Sequence, residues 1–546
     1  MTDDTIATLL AKYLRLAGIT HVFGYPGESI VALIEACRIE AARTEGPEVV
    51  SAVREASAAF MAEGAALRTG LPGVAVSTLG PGSTALLNGV ASAHLDRVPL
   101  LAVSGQVDGR REQYWTHQLI DHDQLFAPVT KLTARLDPDS ADVVIRKALK
   151  TATAERPGAV HVTVNHEAFG KKVNSGGGEP QLPPLTAPAS TVDFYGDDVL
   201  RALRGARRPV LLAGAGAVRC GASAALTELA AAAGIPVVVG AMAKGVLDER
   251  HPYFAGVVDM AGDKVIWSLL DSADLIVTAG FDPVDLITPW RISTPVIHID
   301  TTPNTDQVFP AFAEVVGNVA AALTWLRSSW GDAAPRWSQA EVAAHRAELR
   351  AGWEAGYAAG RLNPSEVVTA VREAAPAGTV VTADVGSHKI MTGQVWTSCG
   401  VRETLITNGL SSMGFGLPAA IGAALAAPGP VVALTGDGGF AMTATELAVA
   451  SRYQLPLVVV VFSDGSLNRI ELHQAAQGYP LAATSVDRTD IPLLAESLGC
   501  DGIRVDSVSR LEKALSGAFA GGYSGGRSRP LVIEARIDTS QYSAQF

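Results

Sequence analysis

Residues 436–468 read GDGGFAMTATELAVASRYQLPLVVVVFSDGSLN, and two aspartates in this stretch are spaced for metal and phosphate chemistry. Asp437, within Gly436-Asp437-Gly438, closes a run of β-formers at 431–434. A helical pattern follows, then a second apolar run at 457–462 that closes on Ser463-Asp464-Gly465-Ser466. Parallel strands joined by a crossover helix bring their carboxyl ends side by side. Asp437 and Asp464 are therefore expected at neighbouring strand ends, where open α/β sheets bind ligands. Hard carboxylate oxygens suit Mg²⁺, and the glycines allow backbone to approach a diphosphate. Either aspartate alone would read as an ordinary turn residue. The two together point to a cation held against a phosphorylated ligand.

The elements that must position these residues fall into three segments. Apolar β-runs alternate with Ala-rich helical patterns throughout, which predicts an α/β protein of doubly wound parallel sheets. The first segment, 1–170, ends on a strand pattern at 159–164. A Gly/Pro/Ser-rich stretch at 171–191 reads as a linker. The second segment, 192–326, has β-runs at 209–212, 236–239 and 275–277. Residues 327–360 read as a largely helical link, and 361–546 form the third segment, with a last strand at 530–534. A chain of 546 residues exceeds one hydrophobic core, in keeping with three domains.

Composition removes several function classes. With 48% apolar and 18% charged residues, the chain reads as well buried and globular. A net charge of −12 argues against a nucleic-acid partner. Cys37, Cys220, Cys399 and Cys500 lie far apart without a CxxC pair, so neither a zinc site nor a disulfide framework is implied. Reduced thiols in a cytoplasmic protein are expected. The acidic, amphipathic start does not resemble a signal peptide, and no window offers the roughly twenty apolar residues of a membrane span.

The GDG segment and its partner resemble the thiamine diphosphate signature, and the order of the three segments is similar to that of the acetolactate synthase and pyruvate decarboxylase group. The resemblance covers essentially the whole chain. It implies a pyrimidine-binding domain, a central domain and a diphosphate-binding domain, with thiamine diphosphate and Mg²⁺ as cofactors. It further implies Asp437, Asp464 and the carbonyl of Ser466 as metal ligands, with Leu467 following in the same cofactor loop. Ser463-Asp464 replaces the usual Asn-Asn, a change that keeps an oxygen ligand. Asp384-Val385-Gly386-Ser387-His388 resembles the DVGxH of acetolactate synthases, which implies phosphate contacts from Ser387 and His388. Backbone N–H groups of Gly438 and Gly439 would add to these. NGLSSMGFGLP at 408–418 is similar to the segment that props the cofactor in its bent form. Met413 would be the prop and the Ser411 carbonyl the acceptor for the 4′-amino group. In REASAAFMAEGAA, Glu55 takes the place of the acid that hydrogen-bonds N1′ of the pyrimidine. Glu63, at a variable position of the same helix, is expected to be solvated. Tyr25-Pro26-Gly27 and Gly80-Pro81-Gly82 match the loops around the pyrimidine.

The positions that would meet substrate depart from the acetolactate synthases. Glu28 stands where those enzymes carry Gly and pyruvate decarboxylases carry Asp. His117-Gln118 replaces Phe-Gln, and Arg469 and His473 replace a Met and a Trp. THQ at 116–118 and IELHQ at 470–474 give local similarity to carboxyethylarginine synthase. Glu28, His117 and Gln118 are expected near the reacting carbon, with Arg469, Glu471 and His473 toward the substrate. Such a pocket suits a polar or anionic substrate and proton transfers in place. Gly214-Ala215-Gly216 lacks the third glycine of a dinucleotide fingerprint and is expected to be a tight turn. Residues 255–260 and 280–285 match neither flavin-binding segment of biosynthetic acetolactate synthases, and 280–283 resembles the GYDP of FAD-independent enzymes, so no FAD is expected. The expected activity is decarboxylation of a 2-oxo acid followed by ligation to a second carbonyl. Alternatives are a simple decarboxylase releasing an aldehyde, a carboxyethylarginine synthase-like bond-forming enzyme, and a cofactor-binding protein without turnover. The resemblance implies a homodimer or dimer of dimers with active sites at the subunit interface, and no membrane or nucleic-acid partner.

Overall fold

Short runs of Val, Ile, Leu and Ala, each ended by a glycine, proline or polar turn, become the strands of three parallel sheets. The computed structural model describes residues 4–43, 46–173, 180–185, 196–330, 334–519 and 529–545. Most of the expected linker at 171–191 lies outside them. The first sheet contains β1 (His21–Gly24), β2 (Glu48–Ser51), β3 (Gly73–Ser77), β4 (Leu100–Gln106), β5 (Thr133–Leu136) and β6 (Ala159–Asn165). The second contains β7 (Pro209–Ala213), β8 (Val237–Val239), β9 (Phe254–Val257), β10 (Leu275–Ala279), β11 (Val296–Asp300) and β12 (Ala311–Val316). The third contains β13 (Val380–Ala383), β14 (Thr404–Ile406), β15 (Val431–Gly436), β16 (Leu457–Ser463), β17 (Asp501–Val505) and β18 (Leu531–Arg536).

Strand order is β2-β1-β3-β4-β6-β5 in the first sheet and β14-β13-β15-β16-β18-β17 in the third, so the two are wound identically. The second runs β12-β11-β10-β7-β8-β9, the order of a dinucleotide-binding Rossmann sheet. Alternation along each strand sends side chains to opposite faces. In the first sheet Val74, Val76, Leu101, Val103, Val160 and Val162 join the core formed with helices Ile6–Leu16 and Ala141–Thr153. No helix among the described residues is long and apolar enough to cross a membrane.

Contacts gather the chain into two units, one of residues 1–187, 409–428 and 443–457, the other of 188–408, 429–442 and 458–546. Within the first, helix Gly416–Ala426 meets helix Glu55–Thr69 backbone to backbone. A Cβ at Gly64 would lie 2.2 Å from the Ala419 carbonyl, and one at Gly422 only 1.9 Å from that of Met61. Phe60 and Phe415 seal this crossing edge to face, with ring centroids 6.0 Å apart. The expectation for Glu63 is corrected here. It is fully buried, because small residues let helices cover the Glu55–Thr69 helix closely. Burial, and then the nearby Asp96 carboxylate, holds its pKa well above the usual carboxylate range.

Within the second unit, Val342 and Leu349 of helix Gln339–Glu354 pack into the core of the second sheet, so much of the expected link at 327–360 is part of a folded body. The Lys244 ammonium reaches Glu249 at 2.7 Å and the Trp396 carbonyl at 2.8 Å. Glu249 in turn accepts the Ser398 N–H at 3.0 Å. This buried pair ties a loop of the second sheet to the strand β14 side of the third, and removing either partner would strand a charge.

Candidate functional site

On the third sheet β15 and β16 are neighbours, and their carboxyl ends carry Asp437 and Asp464. Asp437 accepts the Gly438 N–H at 2.9 Å and the Gly465 N–H at 2.8 Å, while Asp464 accepts the Ser466 N–H at 2.9 Å. Gly465 has φ of 76°, the left-handed turn that returns the loop to Asp437. The loop then runs through Leu467, whose N–H donates to the Thr484 carbonyl at 2.6 Å. Burial, with help from the Asp437 and Glu471 charges, pushes Asp464 up to about 7. Two carboxylates crowded this way are a donor set for a hard divalent cation, whose charge would relieve them. Among the described residues no three His, Cys, Asp or Glu side chains cluster as metal ligands. Ser466, whose N–H Asp464 accepts, lies in the same loop.

Beside this pair, β13 leads through Asp384 to helix Ser387–Val395. Asp384 is buried and accepts from the Val385 N–H at 2.6 Å and the Thr435 hydroxyl at 3.1 Å. Gly439 is pressed against it, since a Cβ there would meet the carboxylate at 2.7 Å. Ser387 donates to Asn468 at 2.9 Å. His388 lies buried and stacked on Phe462, with ring centroids 5.5 Å apart, and burial holds its pKa down to about 3. Its Nε2 has no hydrogen-bond partner. A neutral imidazole with an unmatched buried nitrogen, close to two glycines, suits a phosphate oxygen. These residues fit Mg²⁺ and a diphosphate. On the following helix, Asn468–Ala476, Arg469 and His473 are exposed, whereas half-buried Glu471 accepts the Thr484 hydroxyl at 3.0 Å.

The other expected residues lie together in the first unit. Tyr25, Pro26 and Glu28 are exposed after β1, with Gly27 half-buried between them. Gly27 packs on Thr78 so closely that a Cβ would lie 2.4 Å from the Thr78 Cβ. Glu55 opens helix Glu55–Thr69 and is half-buried. Pro81 opens helix Pro81–Leu95, preceded by Gly80 at φ 59°. A Cβ at Gly80 would meet the Gln118 carbonyl at 2.6 Å, so the loop carrying exposed His117 and Gln118 presses onto this turn. Gln118 itself has φ of 58°. Ser411, at φ 52°, and Met413 are half-buried in a segment fixed to helix Pro81–Leu95 by Ser412 and Asn88 at 3.0 Å.

In the second sheet, Gly214 to Gly216 turns the chain from β7 into helix Ala215–Arg219, beside the point where strand order reverses. There a Rossmann sheet would receive a dinucleotide's diphosphate. Asp285 is already there. Its carboxylate accepts the Ala215 N–H at 3.1 Å, and a Cβ at Gly214 or Gly240 would strike it at 2.4 or 2.3 Å. Burial, then Asp282, pushes Asp285 up to about 7. Two buried acids at this turn would repel an anionic diphosphate.

Four residues with evident parts in the geometry carried no signal in sequence. Glu446 holds the turn before Glu55, Thr435 and Asn468 support Asp384 and Ser387, and Tyr542 lies buried with an unpartnered hydroxyl. Burial and the charges of Asp464 and Asp437 raise the Tyr542 pKa well above its ordinary value. Only the asparagine, one turn past the SDGS motif, lay within reach of a motif-based search.

Models of the thiamine pyrophosphate enzyme family match the chain in three places. The N-terminal TPP binding domain matches residues 4–125, the central domain 197–326 and the C-terminal TPP binding domain 384–535. An acetolactate synthase of Bacillus subtilis is 30% identical over 554 residues, covering 98% of this chain and 93% of that protein. The large subunit of acetolactate synthase isozyme 2 of Escherichia coli is 30% identical over 514 residues, covering 92% and 91%. A catabolic acetolactate synthase of Raoultella terrigena is 30% identical over 529 residues, covering 94% and 92%. Similarity along the whole length, with three domain matches in order, makes this chain a member of the thiamine pyrophosphate enzyme family, of the acetolactate synthase-like type.

Proposed function

We propose that the protein decarboxylates a 2-oxo acid and joins the remaining acyl unit to a second carbonyl compound. Bound thiamine diphosphate would supply the nucleophilic centre at which CO₂ is lost. The observation that carries this reading is the Asp437–Asp464 pair at adjacent strand ends, tied together by the Gly465 N–H. Asp437, Asp464 and the Ser466 carbonyl would hold Mg²⁺. Ser387, His388 and the N–H groups of Gly438 and Gly439 would meet diphosphate oxygens, with Gly436 and Leu467 framing the loop. In the first unit Glu55 would hold the proton at N1′ of the pyrimidine, within walls formed by Tyr25, Pro26, Gly27 and Pro81. The Ser411 carbonyl would accept from the 4′-amino group over Met413.

Glu28, His117 and Gln118 would surround the reacting carbon, and Arg469, Glu471 and His473 would face an anionic substrate or acceptor. The residues that would hold the pyrimidine and those that would hold the diphosphate belong to different units. The active species would be a homodimer or dimer of dimers in which one subunit's pyrimidine residues serve its partner's diphosphate residues, an arrangement that two-fold symmetry repeats. The division into domains at 1–170, 192–326 and 361–546 is part of the same reading, as are a cytoplasmic setting and the absence of FAD, which the Asp285 carboxylate supports.

Incubation with thiamine diphosphate, Mg²⁺ and a panel of 2-oxo acids, with products identified by mass, tests the proposal. Ligated products are expected. Aldehyde alone with every acceptor would turn the assignment to a simple decarboxylase, for which exposed Glu28 is the candidate proton donor.

A further inference from the structure

A polar line crosses the first sheet beneath its helices. Strand register sets Ser77 beside Ser104, Ser104 beside Thr163, and Thr163 beside Arg135, across β3, β4, β6 and β5. The Ser77 and Ser104 hydroxyls are 3.1 Å apart, and Ser104 lies 3.0 Å from Nε2 of His161. Ser77, Ser104 and His161 are all 0% exposed. Beyond them the polar atoms run out of partners. Nδ1 of His161, both ring nitrogens of His122 and the Thr163 hydroxyl have none. The two imidazoles are edge to face with centroids 5.7 Å apart.

His122 and Thr163 line a cavity of about 310 Å³ that also touches Gln106, Asp121 and Arg135. Asp121 and Arg135 are exposed, so the cavity has a wet mouth. At the opposite end of the line stands Gly82. A Cβ there would lie 2.8 Å from the Thr78 methyl, 3.3 Å from a Glu55 carboxylate oxygen and 3.4 Å from the Ser77 Cβ, so Ser77 and Glu55 flank the same glycine. Buried polar atoms normally find partners, and several orphans along one line call for water, which needs only ~30 Å³ per molecule.

The reaction has a use for such a line. Releasing CO₂ from a 2-oxo acid consumes one proton per turnover. In ligation to a second 2-oxo acid two carboxylate anions enter and one leaves; with a neutral acceptor, or in aldehyde release, one enters and none leaves. We propose that His122, His161, Ser104 and Ser77, linked by water, form a proton path from the cavity to Glu55. Each hop makes one N–H or O–H bond and breaks another, with no redox change. An imidazole takes the proton on its bare nitrogen, gives up the proton on the other, and returns by changing tautomer. Burial holds His122 down to about 4 and His161 well below its ordinary value, so both rings rest neutral and would carry the extra proton only in passing. The path residues act through Glu55 and touch neither substrate nor cofactor, so the inference rests on the role proposed for Glu55.

Two readouts test it. In cofactor-loaded enzyme in D₂O, exchange of the cofactor C2 hydrogen is followed by rapid quench and NMR. Ser104→Ala should slow exchange about tenfold, less than the loss of a group that itself transfers the proton to or from the reacting atoms, with unchanged cofactor affinity and a lowered Tm, since His161 Nε2 loses its partner. Ser77→Ala breaks the next link and should do the same. In cofactor-free, ¹⁵N-histidine-labelled protein, the His161 ring N–H should exchange with water far faster than global unfolding allows. Wild-type exchange in both serine variants, or His161 protection equal to global unfolding, would overturn the path. Wild-type exchange in Glu55→Gln would instead remove Glu55 from its role and the inner end of the path with it, leaving the serine results to show the difference.

Discussion

The Glu446 carboxylate accepts the backbone N–H of Arg54 at 3.1 Å, across 392 positions of sequence, and that of Val53 at 3.0 Å. Arg54 is the N-cap of helix Glu55–Thr69 and makes no side-chain cap bond. Glu446 therefore caps the helix from outside and fixes the direction in which Glu55 leaves it. Glu446→Ala should cost about 1.5–3 kcal/mol, the range for hydrogen bonds to a charged group. Glu55→Gln should leave stability alone and cost on the order of 10²–10⁴ in turnover. Urea denaturation and steady-state assays of both variants separate the roles. Equal stability in Glu446→Ala would show that the contact does not hold the turn.

Asp437→Ala and Asp464→Ala should each abolish retention of Mg²⁺ and of the cofactor, because the diphosphate would lose its bridge to the protein. Metal analysis and cofactor titration read this directly. Unaltered Mg²⁺ dependence in both variants is the result that defeats the ligand assignment.

Glu63 predicts a pH dependence of stability. Its folded pKa lies well above the ordinary 4.5, through burial and then Asp96. Below 4.5 the group is protonated folded or unfolded. Above it the unfolded chain ionises first, so unfolding releases a proton and rising pH favours unfolding until the folded pKa is passed. Glu63→Gln should flatten this slope and narrow the loss of stability between pH 5 and pH 8. Denaturant midpoints for both proteins at the two pH values provide the check, and parallel curves would contradict it.

On the proposed reading the purified protein should carry no flavin, and added FAD should show no saturable binding, because the Asp285 carboxylate packs on the Gly214 turn and would repel a diphosphate there. Fluorescence titration suffices. Tight stoichiometric binding would mean that the Asp285 turn moves aside.

Glu28→Gly should raise the ratio of ligated product to free aldehyde if the exposed Glu28 is the proton donor proposed beside the reacting carbon. Product ratios by mass spectrometry decide. An unchanged ratio would show that the proton comes from elsewhere.

Much of this architecture was legible in the chain. Alternating β-runs and helical patterns gave three parallel sheets, and the GDG and SDGS segments marked two neighbouring strand ends, because short-range turn chemistry fixes such sites. What escaped depends on long-range packing. Glu446 looks like any helical acid until the fold brings it to Arg54. Glu63 was misjudged because its helix is covered closely on several sides, which the Ala and Gly content permits but does not announce. The register that aligns Ser77, Ser104 and Thr163 exists only once β3, β4 and β6 are paired.

The identical winding of the first and third sheets has a consequence for how this molecule can change. The ends of β1, β3 and β4 lead to Tyr25–Glu28, Thr78–Pro81 and the loop with His117. The corresponding ends of β13, β15 and β16 lead to Asp384–His388, Asp437 and Asp464. One scaffold thus presents the loops proposed for the pyrimidine at three sockets and those proposed for the diphosphate and metal at the same three sockets in its twin. Loop exchange at a socket would alter what is gripped without disturbing the strands that hold the grip. Drift in chemistry can then proceed one socket at a time.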